Sequence, residues 1–241
     1  MRGGPYLDLH PAVSPVYLYA VLAEAPAGPL PSGLCGEPVR LVACDDVWAA
    51  VGDVASAPAV DEASLRAHDA AVRRLAAGAA ALLPARFGSL ATDDDALCDA
   101  LRPRLAAFRD GLRAVRGCEQ MTLRFARPDA GASAPAPSPA SAEAAAGPGT
   151  RYLDARRAAA GDARSIPEVA RVLDALAPFV RGERRVRHER PPLLASVYHL
   201  VPRESLDAYQ AAVTAAAREA GLRVSSSGPW PPYAFAPDEL A

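Results

Sequence analysis

The stretch Gly228-Pro229-Trp230-Pro231-Pro232-Tyr233-Ala234-Phe235 constrains this chain more than any other. Its three prolines fix φ and remove N–H donors, so the segment is expected to be non-helical and largely pre-ordered before it contacts anything. Its three aromatics are too apolar for a solvated tail, since burying one such side chain is worth roughly 1.5–3 kcal/mol. The segment must dock, either inside its own chain or on a partner. Trp230, Pro231, Pro232, Tyr233 and Phe235 are therefore candidate residues for a structural clamp or an interface.

The chain leading to it reads as alternating strands and helices. Val16–Leu22 is β-forming and apolar on both faces, which suits a central strand. Pro38–Ala43 and Val47–Val54 read as a hairpin across Cys44-Asp45-Asp46. Asp61 is read as the N-cap of a helix whose apolar stripe runs Leu65, His68, Val72, Leu75, Ala79 and Leu82, ended by Pro84. Pro84–Leu90 then reads as a short extended segment. Thr92 with Asp93, Asp94 and Asp95 makes a capped start for the stripe Leu97, Leu101, Leu105, Phe108, Leu112 and Val115. Pro103 kinks or restarts that helix, and Gly117 stops it.

From Cys118 to Ala126 the period changes to two, giving a half-buried strand in which Met121, Leu123 and Phe125 alternate with Gln120, Thr122 and Arg124. Arg127–Gly149 is almost wholly Pro, Ala, Ser and Gly and is expected to be a flexible insertion. A helical segment is expected from Thr150 to about Gly161. Ser165-Ile166-Pro167-Glu168 reads as a capping box for a helix that buries Val169, Val172, Leu176 and Phe179 or Val180. Arginine-dense Glu183–Arg190 suits an edge strand, and Leu193–Val201 a central one. A helix with stripe Leu206, Tyr209, Val213, Ala216 and Ala220 ends at Gly221. A short strand, Leu222–Ser226, leads into the aromatic-proline segment.

The order predicts an α+β protein of two domains: an N-terminal α+β domain over residues 16–117 and a ferredoxin-like (βαββαβ) domain over 118–235. The insertion spans about 128–149, a flexible leader 1–15 and a tail 236–241.

No GxGxxG, P-loop, GxSxG, HExxH or DxDxDG pattern is present, so no catalytic residue, metal or cofactor is expected. His68 reads as a hydrogen-bonded core histidine rather than a general base, because no paired nucleophile accompanies it. The Asp93–Asp95 triplet reads as a helix cap rather than a cation site. The cysteines, Cys35, Cys44, Cys98 and Cys118, lack zinc spacing and are expected to be reduced core thiols in a cytosolic protein. His188 lies among Arg184, Arg185, Arg187 and Arg190, a patch read as a solvated edge strand before a phosphate grip. The formal net charge of −2 gives no field toward nucleic acid or anionic lipid. With no secretory signal and apolar runs far short of ~20 residues, the expectation is a soluble cytoplasmic protein without nucleic-acid or membrane partners.

Four stretches carry a resemblance. Val16-Tyr17-Leu18-Tyr19-Ala20-Val21, Leu82-Leu83-Pro84-Ala85-Arg86-Phe87-Gly88, Tyr152-Leu153 with Arg156-Arg157, and Gly228–Phe235 come in the order of the gas vesicle protein GvpL/GvpF family. Ala234 stands where the family pattern has serine, and Ala85 where it has valine. The resemblance implies an α+β domain followed by a modified ferredoxin-like domain. It also implies a non-enzymatic accessory protein of gas vesicle assembly, cytoplasmic and vesicle-associated, binding the shell protein GvpA and other Gvp proteins, with self-association as a further option. It adds Arg86 and Phe87 to the clamp or interface candidates. Two readings from other classes stay open: a ferredoxin-like regulatory or ligand-binding module acting through Arg184–Arg190, and a cytosolic enzyme using His68.

Overall fold

The computed structural model describes residues 15–127, 166–188 and 193–237. The leader, the insertion, the helix expected near Thr150 and most of the tail lie outside them. The first sheet contains β1 (Val16–Leu22), β2 (Val39–Cys44), β3 (Val47–Asp53), β4 (Leu82–Pro84) and β5 (Leu90–Ala91). Its antiparallel order is β2-β3-β1-β4, with β5 also on β1. The helix α1 (Glu62–Gly78) packs on one face, and α2 (Asp94–Leu101) with α3 (Leu105–Val115) on the other. This layering explains why β1 is apolar on both sides: all of it is buried. A bulge between Leu18 and Ala20 shifts its alternation. Val16, Leu18 and Val21 consequently face α2 and α3, while Tyr17, Tyr19, Ala20 and Leu22 face α1.

The helix starts follow local chemistry. The Asp61 carboxylate accepts from Ser64 N at 2.8 Å, and the Asp93 carboxylate from Ala96 N at 2.7 Å. At Pro103 the helix restarts, through a 3₁₀ turn over Arg102–Arg104. One boundary differs from expectation. α1 ends at Gly78 rather than at Pro84, because Leu82–Pro84 hydrogen-bonds to β1 as β4. Pro84 is tolerated there because β4 is an edge strand that needs no further donor.

The second sheet contains β6 (Cys118–Ala126), β7 (Gly182–Arg187), β8 (Leu193–Pro202) and β9 (Arg223–Trp230), in the order β7-β8-β6-β9, all pairs antiparallel. The helices α4 (Pro167–Leu176) and α5 (Leu206–Ala220) cover one face. Their Val169, Val172, Leu173, Leu176, Tyr209 and Val213 meet Met121, Leu123, Phe125 and Val197. Two antiparallel sheets with packed helices make this an α+β protein.

Several expectations are corrected. The N-cap of α4 is Ile166, which makes no side-chain capping bond; Ser165 lies outside the described residues. β6 is buried on both faces rather than half-buried, with Gln120 and Thr122 only 5% and 7% exposed. β9 runs four residues past Ser226, and Tyr233–Phe235 forms a 3₁₀ turn, so the aromatic-proline segment is part strand and part helical turn. The cysteines are not all reduced: Cys44 and Cys98, with Cα atoms 5.1 Å apart, form a disulfide, while Cys35 and Cys118 are free.

Between β1 and α1 lies a buried aromatic cluster. The His68 ring sits 5.7 Å from those of Tyr17 and Tyr19 and 5.8 Å from Phe87. Its Nδ1 is 2.9 Å from the Tyr17 hydroxyl, which also accepts from Gly88 N at 3.0 Å. The Tyr19 hydroxyl donates to Glu37 and accepts from Leu34 N at 2.8 Å. His68 Nε2 has no hydrogen-bond partner at ordinary geometry. Burial pushes the His68 pKa down to about 4, with the Ala85 backbone the main opposing influence. Burial likewise pushes the Tyr17 phenol up to about 12.

A folded-state pKa below the unfolded value means that the unfolded chain takes up the proton first, so stability is lost as pH falls from the unfolded value toward the folded one. Urea unfolding should therefore show His68 removing about 2 kcal/mol between pH 7 and pH 5. In His68→Gln that component should vanish, so the stability gap between wild type and variant should narrow with acidification. An unchanged gap would show that His68 titrates normally.

Candidate functional site

The terminal segment lies against α1 and against the face of the second sheet that no helix covers. Trp230 ends β9 opposite Gln120 on β6. Its ring lies under the guanidinium of Arg73 on α1, with Arg73 Cζ 4.0 Å from the ring centroid. Arg73 Nε donates to Asp69 Oδ2 at 2.6 Å, and the Tyr233 hydroxyl donates to Asp69 Oδ1 at 3.0 Å. One carboxylate on α1 thus holds both Arg73 and the segment. Burial and then the negative Asp69 push the Tyr233 phenol well above its usual range. Pro231 and Pro232 are buried, and Phe235 is half-buried against the core shared by the first sheet and α3.

Backbone and glycine geometry complete the contact. Gln120, buried because this face is covered, accepts from Ala234 N at 2.7 Å through Oε1. Gly228 has φ +130°, and a Cβ there would lie 2.8 Å from the Gln120 carbonyl oxygen, so only glycine fits. The peptide between Gly228 and Pro229 is cis. A Cβ on Gly182 would come within 3.5 Å of the Phe235 ring, which the Arg184 guanidinium also approaches at 5.7 Å.

A second tie joins the same elements. Arg203, following β8, donates to the Ala76 and Ala79 carbonyls at 3.0 and 3.3 Å, and through Nε to Glu119 at 2.8 Å. The last turn of α1 carries no basic residue of its own, so an arginine from the other half of the chain supplies the charge favoured at a helix C-terminus.

Arg86 and Phe87 lie in the turn after β4. Phe87 belongs to the cluster with Tyr17 and His68, and Arg86 is exposed, its carbonyl accepting from Ser89 N at 3.2 Å. The candidates therefore divide: Trp230, Pro231, Pro232, Tyr233 and Phe235 form one docked unit, and the Arg86-Phe87 turn packs separately on β1 and α1. Asp69, Arg73, Gln120 and Arg203 were not among the candidates. The Asp69–Arg73 spacing on one helix face was a weak signal of an ion pair, but nothing local pointed to its partner.

The remaining polar clusters are accounted for by structure. Arg40 bridges Asp53 and Asp94 beside Asp93 and Asp95, around an open cleft of about 440 Å³. The Arg40 guanidinium holds the Asp53 carboxyl below the usual range. Asp93 is thus engaged in capping and Asp94 in ion pairing, and Asp95 adds negative charge to the first turn of α2. Among the described residues, no group of three His, Cys, Asp or Glu converges to hold a metal. His68 lines neither that cleft nor the small cavity of about 10 Å³ beside Arg203. In the second core His199 bonds Tyr209 at 2.9 Å and Glu183 at 3.0 Å, with His199 and Tyr209 fully buried. His188 bonds Ser196 Oγ at 2.9 Å. Among the described residues, no helix is long and apolar enough to cross a membrane.

Comparison with known proteins matches this geometry to one family. The chain resembles the crystal structure of gas vesicle protein GvpF from Anabaena sp. PCC7120 with a TM-score of 0.70 at 17% identity, over 93% of this chain and 96% of that one. It resembles GvpF from Microcystis aeruginosa with a TM-score of 0.66 at 15% identity, over 93% of this chain and 99% of that one. At such identities the likeness speaks to the fold. A comparison with curated proteins gives no match. The family described as gas vesicle synthesis protein GvpL/GvpF matches residues 15–237. The chain belongs to the GvpL/GvpF family of gas vesicle synthesis proteins.

Proposed function

We propose that this protein is a non-enzymatic accessory factor of gas vesicle assembly, vesicle-associated in the cytoplasm, that binds the shell protein GvpA and other Gvp proteins. The observation that carries the reading is the family match across residues 15–237. A shell subunit with an apolar surface aggregates if left uncovered, which gives a soluble helper a physical task. The chain divides near Gly117 into an α+β domain and a modified ferredoxin-like domain. The strand order β7-β8-β6-β9, with two helices on one face, supports that division.

Within this reading Trp230, Pro231, Pro232, Tyr233 and Phe235 are an internal clamp that fastens the second domain to α1. Their support is that Tyr233 OH, Ala234 N and the Trp230 ring all have partners within the chain. The surface that meets the shell protein then lies elsewhere. The enzyme reading loses its motivating residue, since His68 is buried and lines neither cavity.

Three substitutions test the clamp, and co-expression tests the partner. Trp230→Ala should cost about 2 kcal/mol, or a melting temperature lowered by roughly 4–8 °C. Tyr233→Phe, which removes only the bond to Asp69, should cost about 1 kcal/mol. Arg203→Met, which keeps the stem but strips the carbonyls of Ala76 and Ala79 of their donor, should cost about 1–2 kcal/mol. Below their melting temperatures all three should still be captured by co-expressed GvpA as well as wild type is. Loss of capture by a fully stable Trp230→Ala would make the segment the interface instead. Folded wild type that captures no GvpA would sink the shell-binding reading.

A further inference from the structure

We propose that Cys44 and Cys98 form a thiol–disulfide latch that locks the tip of the β2–β3 hairpin onto α2, just before its break with α3. The pair joins residues 54 apart in sequence. Cys44 is the last residue of β2 and is 2% exposed, whereas Cys98, in the middle of α2, is partly exposed. An external thiol therefore reaches the Cys98 sulfur first.

The surroundings are built as a latch with one covalent part. The hairpin turn that follows Cys44 carries Asp45 and Asp46. Arg102 Nε, in the 3₁₀ turn after α2, lies 3.5 Å from Asp45, and Arg109 Nε, on α3, lies 2.7 Å from Asp46. These side chains are half-exposed, so each pair holds weakly and is screened by salt. The break at Pro103 is the place where α2 can move relative to α3. Underneath, Leu97 and Leu101 stay buried in the core, and Arg40 ties Asp94 to β2 at 2.8 Å. Opening the disulfide thus frees the tip without unfolding the helix. A reduced Cys98 thiol held in this position has an acceptor within reach, the Ala43 carbonyl oxygen 3.7 Å from its Sγ.

The chemistry balances with a low-molecular-weight thiol as reductant and its disulfide as oxidant. A thiolate attacks Cys98 Sγ and breaks the Cys44–Cys98 bond, and Cys44 leaves as thiolate and takes a proton. A second thiol attacks the mixed disulfide, releasing the small disulfide and the Cys98 thiol. Two small thiols are oxidised to one disulfide while the protein disulfide is reduced to two thiols. Oxidation runs the same steps backward. Cys35 is exposed but belongs to the loop before β2, and Cys118 is buried, so neither substitutes for the pair.

The test uses the full chain in reduced or oxidised glutathione and does not depend on shell binding. Differential alkylation read by mass spectrometry should show Cys44 and Cys98 protected together in the oxidised buffer and labelled together in the reduced one. Cys35 should label once glutathione adducts are removed. Reduction should lower the melting temperature by roughly 10 °C, as expected for opening a loop of this length in a chain of this size. In Cys44→Ser/Cys98→Ser the two buffers should give the same melting temperature. Hydrogen exchange on wild type should rise on reduction over residues 44–46 and 94–104 and stay unchanged in β6 and β8. Independent labelling of the two cysteines, a melting temperature indifferent to glutathione, or an exchange increase spread evenly over the chain would each overturn the latch.

Discussion

Burial of β1 on both faces is the constraint from which most of this structure follows. A strand between two helical layers has no solvent side, so every polar atom it carries must be satisfied within the protein. Tyr17 and Tyr19 bring two hydroxyls into that layer. The first is met by His68 and Gly88 N, the second by Glu37 and Leu34 N. Together these bonds pull in three pieces of chain: α1, the turn after β4, and the loop before β2. The tyrosines thus organise the loops around the sheet as well as filling its core. His68 owes its depressed pKa to the same layering, since burial between β1 and α1 disfavours its charged form.

The second sheet poses the complementary problem. Its helices cover one face, so the other needs a cover from elsewhere in the chain. The terminal segment and the first half of the chain supply it, which is why Gln120 and Thr122 are buried despite alternating with apolar neighbours. α1 then works on two sides. His68, Ala71, Val72 and Leu75 face the first sheet, while Asp69 and Arg73, one helical turn apart, face Tyr233 and Trp230. A single helix is held by both halves of the chain, and Arg203 caps its end from the second half.

What the sequence disclosed was whatever is written in local periodicity. The two-faced apolarity of Val16–Leu22, the stripe from Leu97 to Val115, the break at Pro103 and the charged edge, read over Glu183–Arg190 and found as Gly182–Arg187, all reflect local sequence. What it hid were contacts between distant residues. Tyr233 and Asp69 are 164 positions apart, Ala234 and Gln120 114, and Cys44 and Cys98 54. No period links them. The end of α1 shows the same limit from the other direction. Ala79-Ala80-Ala81 favours continued helix, yet pairing with β1 takes Leu82–Pro84 into a strand, so tertiary hydrogen bonding outweighs local propensity.

The terminal segment combines these points. Aromatics and prolines crowded together suit an internal clamp and a partner interface equally well on composition, because both require pre-ordered apolar surface. Hydrogen-bond accounting favours the first. A segment awaiting a partner would leave its polar atoms facing water, whereas here the Tyr233 hydroxyl, the Ala234 amide and the Trp230 indole N–H each meet a group of the same chain. Prising the segment away would also bare Gln120 on the sheet beneath and uncover Arg73 on the helix beside it. An incoming protein would have to replace all of these contacts before gaining any new one, so the chain's own sheet is the better-matched surface for Gly228–Phe235.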